Sequence, residues 1–251
     1  IFSKASTRTR VSFQVAMARL GGQTVDLNPQ LTQLGRGEPL EDTSRVLSRF
    51  CDVLAIRTFA QQELADYAHW ASIPVINALT DLEHPCQALA DFLTMQEAFG
   101  DLQGQTLAYV GDGNNVAHSL MLCGALLGVN VRIGCPEGFE PLPGVVDQAR
   151  ALSVGGAQIS VITDPVEAVR GAHAVYTDVW ASMGQEQEQA ERERAFQGFC
   201  LNEDLLAEAD SRAIVLHCLP AHRGEEISAG VMEGPSSRIF DQAENRLHAQ
   251  Q

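Results

Sequence analysis

The sequence has no apolar run that approaches the roughly 20 residues needed to span a bilayer, although 45% of its 251 residues are hydrophobic. Basic residues are scarce, with 17 lysines and arginines against 32 aspartates and glutamates and a net charge of −15. This balance disfavours nucleic acids and anionic membranes as partners. Because the acidic residues are spread along the chain, we attribute them to a solvated surface.

Cysteine is sparse and unclustered. The six cysteines stand at positions 51, 86, 123, 135, 200 and 218, with no CxxC pair and no zinc-ligand spacing among them. We therefore predict reduced thiols in a cytoplasmic protein, and no bound metal. The chain opens on Ile1 with neither an initiator methionine nor a signal-like segment, which indicates a piece of a longer protein.

Short apolar runs alternate with helical patterns along most of the chain, which is typical of parallel sheets covered by helices on both faces. We predict strands within 23–28, 52–59, 73–81, 105–113, 129–135, 157–164, 173–180 and 212–220. We predict helices within 6–20, 40–50, 60–71, 84–100, 115–128, 143–156 and 164–172, with acidic helices after 180. The fold class is α/β.

The pattern of strands and helices is interrupted at "FGDLQGQ", residues 99–105, and then begins again. We therefore expect two doubly wound parallel-sheet (Rossmann-like) domains, 1–98 and 99–240, with the active site in the cleft between them. Residues 241–251 are expected to begin a further helix.

In open α/β sheets, ligands bind beyond the carboxyl ends of the strands. Polar side chains that follow the predicted strands should therefore lie along one edge of each sheet. These side chains are Arg57, Asn77, His84, Asn114, Asn115, Asp178, His217 and Cys218.

The segment "STRTR", residues 6–10, stands at the start of the first helical pattern. Free backbone N–H groups and the positive end of the helix dipole favour an anion there. Hydroxyl groups add donors, and the guanidinium of Arg8 can grip two phosphate oxygens. Taken alone, the motif is more often an ordinary Ser/Thr N-cap beside exposed arginines.

Two other segments strengthen the anion-site explanation over the ordinary N-cap. "HPCQ", residues 84–87, opens a helix, and "HCLPAHRGEE", residues 217–226, follows a buried strand. Each also has a structural explanation, because proline favours the first turn of a helix and also ends strands. The three segments in this order are far more specific than any one of them.

With these motifs, the sequence resembles the aspartate/ornithine carbamoyltransferase family, and within it the ornithine-specific branch. "DVWASMGQE" (178–186) is similar to the ornithine loop of that branch, and "LGRGEP", "GDGNNVAHS" and "FDQAENRLHAQ" also match. The resemblance implies transfer of a carbamoyl group from carbamoyl phosphate to the δ-amine of L-ornithine, giving L-citrulline and phosphate, as in arginine biosynthesis. It implies no cofactor, and a homotrimer or a multiple of trimers.

The resemblance also implies the domain roles. Residues 1–98 are similar to the carbamoyl phosphate-binding domain without its N-terminal part, and residues 99–240 to the ornithine-binding domain. Residues 241–251 correspond to the start of a C-terminal helix that returns to the first domain.

For the donor, the resemblance implies that the phosphate is held by Ser6, Thr7, Arg8 and Thr9. Arg57 lies between the phosphate and the carbonyl oxygen, His84 donates to that oxygen, and Gln87 accepts from the carbamoyl NH2. The remaining donor contacts are Gln33, Cys218, Arg246 and backbone groups of Leu219, beside an expected cis Leu219–Pro220 bond.

For the acceptor, the resemblance implies that Asn115, Ser182 and Met183 hold the amino-acid end of ornithine. Asp178 and Cys218 lie near the δ-amine. The catalytic residues are then Arg57, His84, Asp178 and Cys218. Whether Cys218 acts as a base or only as a contact stays open, and a thiolate nucleophile is disfavoured because no covalent intermediate is required.

Several alternatives remain at this point. "GDGNNV" (111–116) is a degenerate dinucleotide motif that lacks the third glycine, so we prefer an acceptor loop. A carbamoyltransferase for another amine such as putrescine, or an inactive binding fragment, would share most of the motifs. Aspartate is disfavoured as acceptor because Asp178 would repel a second carboxylate. We expect the charge-rich 185–196 segment to form a solvated helix face.

Overall fold

The computed structural model describes residues 1–29, 32–181 and 189–251. The chain forms two compact units. The first unit contains Ile1–Cys86 and Arg246–Gln251, and the second contains Gln87–Asn245.

The first unit has a small parallel sheet with helices. Its elements are helix α1 (Thr7–Arg19), a 3-10 helix (Gln33–Arg36), helix α2 (Leu40–Leu47), strand β1 (Leu54–Arg57), helix α3 (Gln61–Trp70) and strand β2 (Val75–Leu79). Strands β1 and β2 pair in parallel, with Leu54 opposite Val75. The core consists of Ile1, Leu54, Ile56, Leu64 and Tyr67.

The extended N-terminus lies along β1 and fixes the end of that strand. The Arg57 N–H donates to the Ile1 carbonyl at 2.9 Å, and the Ser3 N–H donates to the Arg57 carbonyl at 2.8 Å. Both the backbone N–H and the backbone carbonyl of Arg57 are therefore held by the N-terminal segment where β1 ends.

The second unit contains the remaining elements, of which the first and the last cross the division between the units. They are helix α4 (Pro85–Phe99), strand β3 (Thr106–Val110), helix α5 (Asn115–Leu127), strand β4 (Asn130–Gly134), helix α6 (Pro143–Leu152), strand β5 (Ile159–Ile162), helix α7 (Pro165–Val169), strand β6 (Ala174–Thr177), helices α8 (Gln189–Ala195) and α9 (Glu203–Leu206), strand β7 (Ile214–His217), and helices α10 (Ala229–Met232) and α11 (Ile239–Gln250).

The five strands of the second unit form one parallel sheet in the order β5-β4-β3-β6-β7. From β3 the chain proceeds outwards through β4 to β5, and then crosses back to β6 and on to β7. The direction of winding therefore reverses between β3 and β6. Such a switch point leaves a crevice beyond the carboxyl ends of the two strands, where ligands of this fold class bind.

Apolar burial holds this sheet together. Every residue of β3 is buried, as are those of β6 and β7. Val110, Val175 and Val215 belong to a core cluster that also contains Phe196 and Leu201. Full burial of one such aliphatic or aromatic side chain contributes roughly 1.5–3 kcal/mol. Gly128 caps the C-terminus of helix α5, and its φ of 74° suits glycine at that position.

The predicted α/β fold class and its parallel sheets are confirmed, and seven of the eight predicted strand segments contain a strand. The strand predicted at 23–28 is wrong. The Phe2 N–H donates to the Leu27 carbonyl of this segment at 3.2 Å, but the segment forms no strand. Val25 is 75% exposed. The alternation of apolar residues is present, but no neighbouring strand completes a ladder there in the described part of the chain.

Residues 185–188 of the predicted solvated face 185–196 lie outside the described residues, and within the described part the prediction is wrong at Arg192. Arg192 is 6% exposed, and its guanidinium forms an ion pair with Asp112 at 2.9 Å. It also donates to the Trp180 carbonyl at 2.8 Å and lies over the Phe139 ring. Charge alone does not place a side chain in solvent when a buried carboxylate is within reach.

All six cysteines are free, as predicted. Among the helices that the structure describes, none is long and apolar enough to cross a membrane.

Candidate functional site

The STRTR motif lies at the N-terminus of α1, as its sequence predicted. Ser6 is the N-cap residue, and its Oγ accepts from the Thr9 N–H at 3.2 Å. Thr7 and Arg8 are exposed in the first turn, whereas Thr9 is buried. The capping explanation and the anion-site explanation are therefore compatible, because the Ser6 hydroxyl can still donate while its oxygen accepts.

Helix α11 brings Arg246 to the same helix terminus. The Arg246 guanidinium donates to Thr9 Oγ1 at 3.0 Å, although the two residues are 237 positions apart. Arg246 is 3% exposed and Thr9 is 1% exposed. A buried cation next to helix N–H groups favours an anionic ligand.

His84 lies within electrostatic reach of four cations of the first unit. Its side chain is buried, and this burial lowers its pKa well below the usual 6.5. The charges of Arg246, Arg57, Arg8 and Lys4 lower it further. His84 is therefore a neutral imidazole near pH 7, which donates a hydrogen bond from one ring nitrogen without carrying a charge.

These observations bring together four of the residues predicted for the donor site: Arg8, Arg57, His84 and Arg246. They also reveal Lys4, which sequence reasoning missed. Lys4 is buried, forms an ion pair with Asp81 and lies over the Phe59 ring at 4.5 Å. Its position two residues before STRTR was the only signal available.

Gln33 is the exception in the first unit. It is exposed at the start of the 3-10 helix. Among the described contacts, none joins it to Arg8, Arg57, His84 or Arg246. Its predicted donor contact stays a prediction.

Gln87 lies in the first turns of α4 and is 2% exposed. Its Nε2 donates to Asp91 Oδ1 at 2.7 Å. Asp91 was not singled out from the sequence, because a single aspartate on a helix carries no motif.

The second cluster lies at the carboxyl ends of β3, β6 and β7. Asp178 follows β6 and is 6% exposed. The Cys218 thiol donates to Asp178 Oδ1 at 2.9 Å, and Asn114 Nδ2 donates to Asp178 Oδ2 at 3.1 Å. Asp178 Oδ1 also accepts from the Val179 N–H at 2.8 Å, so the switch point of the sheet presents a carboxylate whose two oxygens are both held by donors.

Asn114 has a second role that positions this group. It is the N-cap of α5, and its Oδ1 accepts from the Val116 N–H at 2.9 Å and the Ala117 N–H at 3.3 Å. Because those N–H groups can only donate, the amide must turn Nδ2 towards Asp178. The sequence placed Asn114 on this edge but assigned the ligand contact to Asn115, the first residue of α5.

Burial raises the pKa of the Cys218 thiol well above its usual 9, and the neighbouring Asp178 carboxylate raises it further. Cys218 is therefore a protonated donor to Asp178 at neutral pH. A thiolate nucleophile, the disfavoured alternative, would need the opposite shift.

The loop after β7 is built around His217. Its Nδ1 accepts from the Leu219 N–H at 2.9 Å, and its Nε2 lies 3.0 Å from Glu226 Oε1. Leu219 has a φ of 60°, and the Leu219–Pro220 bond is cis, as expected. The Leu219 N–H is thus held by His217, and the donor contact predicted for the Leu219 backbone stays a prediction.

Two groups among the described residues have ligand atoms within 4.8 Å of one another: Asp178, His217 and Cys218, and His222, Glu225 and Glu226. In the first group both nitrogens of His217 already have hydrogen-bonding partners, and Cys218 is a thiol. These contacts describe a hydrogen-bonded network, and the absence of a metal stays a prediction.

Ser182 and Met183 lie outside the described residues. The GDGNN loop before α5 is described, and the Gly113 N–H donates to the Phe139 carbonyl at 2.8 Å. A Cβ at Gly113 would lie 2.2 Å from the Pro141 nitrogen. This glycine is therefore required by close packing of the loop, which removes one reason to associate the motif with a dinucleotide.

The second unit has a doubly wound parallel sheet with a carboxylate at its switch point, and the first unit gathers buried cations at a helix N-terminus. These features define an α/β enzyme for small charged substrates. Two family models match the chain: the carbamoyl-P binding domain of aspartate/ornithine carbamoyltransferase over residues 1–97, and its Asp/Orn binding domain over residues 103–251. The chain belongs to the aspartate/ornithine carbamoyltransferase family.

Individual relatives agree with this assignment. The chain is 85% identical over 251 residues to the ornithine carbamoyltransferase of Prochlorococcus marinus strain MIT 9313, covering 100% of this chain and 79% of that relative. The solved ornithine carbamoyltransferase from Pyrococcus furiosus is 52% identical, with a TM-score of 0.95 over 99% of this chain and 80% of that one.

A more distant solved structure is an acetylornithine transcarbamylase complexed with acetylcitrulline. It is 30% identical, with a TM-score of 0.86 over 99% of this chain and 84% of that one. The fold is thus shared by proteins with different acceptors.

Proposed function

We propose that this enzyme transfers the carbamoyl group of carbamoyl phosphate to the δ-amine of L-ornithine, giving L-citrulline and phosphate. The observation that carries the choice of acceptor is the Asp178 carboxylate at the switch point of the sheet, with Cys218 and Asn114 as its donors. A buried carboxylate suits a cationic ammonium group. The match to ornithine carbamoyltransferases over the whole chain supports the same choice.

On the donor side, the phosphate binds to the N-terminus of α1 through Ser6, Thr7, Arg8 and Thr9. Arg57 neutralises charge on the phosphate as it leaves. The neutral His84 donates to the carbonyl oxygen, which becomes negative as the amine adds. Removal of one such oxyanion donor typically costs about 2.7–4 kcal/mol of barrier stabilisation.

On the acceptor side, Asp178 binds and orients the ornithine ammonium, which loses a proton before the nitrogen attacks. The amine nitrogen adds to the carbamoyl carbon, the C–O bond to the phosphate breaks with its electrons on phosphate, and the extra proton on the nitrogen passes to the departing phosphate. Asn115, Ser182 and Met183 are proposed to hold the α-amino and carboxylate groups. Positioning of two substrates can supply roughly 7–11 kcal/mol of the barrier reduction.

Further predictions accompany this function. Residues 1–98 are proposed to bind carbamoyl phosphate and 99–240 to bind ornithine, with 241–251 returning to the first domain. The homotrimer, the cytoplasmic location and the absence of a cofactor also remain predictions.

The acceptor is tested by competition. Purified protein is supplied with carbamoyl phosphate and with L-ornithine, N-acetyl-L-ornithine or putrescine, and the carbamoylated product is identified by mass spectrometry. We expect citrulline to predominate. Predominance of acetylcitrulline or carbamoylputrescine would overturn the choice of acceptor.

The donor residues are tested by the Arg57→Met variant. We expect the rate of citrulline formation to fall by about 100- to 1,000-fold, since one stabilising group of the transition state is lost. The matched control is Arg45→Met, which removes an exposed arginine of α2. An Arg57→Met rate equal to that of Arg45→Met would contradict the proposal.

A further inference from the structure

A run of buried hydrogen bonds leads from Gln87 to the end of β7, entirely within the second unit. Gln87 Nε2 donates to Asp91 Oδ1 at 2.7 Å, one turn further along α4. Gln242 Nε2, on α11, donates to the same oxygen at 2.6 Å. Gln242 Oε1 accepts from the His217 N–H at 2.8 Å. Gln87 is 2% exposed, and Asp91 and Gln242 are 0% exposed.

Each amide in this run has only one possible orientation. The backbone N–H of His217 can only donate, so it must face the oxygen of Gln242. The Gln242 amide nitrogen therefore faces Asp91. A carboxylate only accepts hydrogen bonds, so Gln87 must also present its nitrogen to Asp91. The Gln87 oxygen is then directed away from Asp91.

We propose that Asp91 is a positioning residue, which holds the Gln87 amide with its oxygen presented as an acceptor to the NH2 group of carbamoyl phosphate. This inference rests on the proposed function, in which Gln87 contacts the carbamoyl group. Gln242 supports Asp91 by donating to the same carboxylate oxygen, and it is itself held by the backbone at the end of β7.

The chemistry of the carbamoyl group explains why such a residue is needed. A carbamoyl group is planar, and a half-turn exchanges its oxygen with its NH2. An acceptor at the NH2 end of the group and donors at its oxygen end select one of these two orientations. If the Gln87 amide were turned over, its own NH2 would face the NH2 of the substrate, and two donors would oppose each other. Asp91 prevents this by accepting from Gln87.

The test is a double-mutant cycle with Asp91→Asn and Gln87→Met in the purified protein. The amide introduced by Asp91→Asn can donate as well as accept, so it no longer dictates how Gln87 is turned. We expect kcat/KM for carbamoyl phosphate to fall by about 10- to 100-fold in Asp91→Asn, the range for one hydrogen bond to a charged group. In the Gln87→Met background the Asp91→Asn change should cause no further loss, because Asp91 acts through Gln87.

A second readout separates positioning from general stability. Inorganic phosphate, used as an inhibitor, contacts the phosphate-binding residues but has no carbamoyl group. Its inhibition constant should therefore stay within about twofold in Asp91→Asn. The matched control is Thr94→Val, which removes the 3.0 Å bond from Asn245 Nδ2 to Thr94 Oγ1 between the same two helices, α4 and α11.

Three results would overturn the inference. They are additive losses in the double variant, a parallel weakening of phosphate inhibition, and a loss in Asp91→Asn no larger than in Thr94→Val. If Asp91→Asn does not fold, the same double-mutant cycle is carried out with Gln242→Met and Gln87→Met. Gln242→Met removes another donor to Asp91 Oδ1, and we expect the same pattern of losses. Failure of the unmodified protein to form citrulline would instead overturn the proposed function and this inference with it.

Discussion

At the scale of single residues, the environment decides which protonation state each functional group adopts. Burial and nearby cations lower the pKa of His84 and keep it neutral, whereas burial and a nearby carboxylate raise the pKa of Cys218 and keep it a thiol. Both groups therefore serve as neutral donors near pH 7. Neither state is readable from the sequence, because HPCQ and HCLP specify the side chains but not the charges that surround them.

The shifted pKa of His84 should make stability depend on pH. In the unfolded chain its pKa is about 6.5, and in the folded protein it is lowered. Below about pH 6.5 the unfolded state therefore takes up a proton that the folded state does not, so acidification favours unfolding. We expect the free energy of unfolding in urea to fall less between about pH 7.5 and 5.5 in His84→Asn than in the unmodified protein.

The control for that measurement is His69→Asn, which changes an exposed histidine of α3. An equal pH-dependent loss of stability in His84→Asn and in the unmodified protein would contradict the lowered pKa of His84.

At the scale of secondary-structure elements, helix termini supply most of the functional positions. The N-terminus of α1 carries the proposed phosphate site, and the N-cap of α5 orients Asp178. Asn114 therefore has two roles: its oxygen caps α5, and its amide nitrogen donates to the Asp178 carboxylate. Because different atoms carry the two roles, different substitutions can test them separately.

The two roles of Asn114 predict different outcomes for two variants. Asn114→Ala loses the cap and should cost about 0.5–2 kcal/mol of stability. Asn114→Asp keeps a capping oxygen, so thermal stability should change less than in Asn114→Ala. It replaces the donor to Asp178 with a carboxylate, and KM for ornithine should rise. Thermal melting and steady-state kinetics check the two effects. Equal KM values for Asn114→Asp and the unmodified protein would contradict the orienting role.

At the scale of the whole molecule, the parallel sheets and the location of the strand-end residues follow from sequence pattern. Fully buried strands such as Thr106–Val110 are typical of parallel sheets covered on both faces, and the alternation with helices requires parallel crossovers. The functional side chains after β3, β6 and β7 could be placed on one edge for that reason.

Features that depend on distant partners could not be predicted. The segment 23–28 has the alternation of a strand but, within the described residues, no neighbouring strand to pair with. Arg192 has the sequence context of a surface residue, yet it pairs with Asp112, 80 positions away. Asp91 gains its role only because Gln242 approaches from 151 positions away.

The buried pair of Arg192 and Asp112 should matter for stability. Arg192→Met leaves the Asp112 carboxylate without its guanidinium, and removal of one partner of a buried pair costs about 3–5 kcal/mol. We expect urea unfolding to show a loss of that size. In the control Arg170→Met, whose exposed pair with Glu208 is 3.9 Å long, the change should stay within about 0.5 kcal/mol. Similar losses in the two variants would contradict the burial of Arg192.

The most direct measurement of the proposed chemistry is a crystal structure with a bisubstrate analogue bound, in which a phosphonate replaces the phosphate and is joined to ornithine. We predict the phosphonate oxygens within hydrogen-bonding distance of Ser6, Thr7, Arg8 and Thr9, with the nitrogen that stands for the δ-amine beside Asp178 and Cys218. A phosphonate bound away from the N-terminus of α1, or an ornithine side chain that does not reach Asp178, would contradict the account.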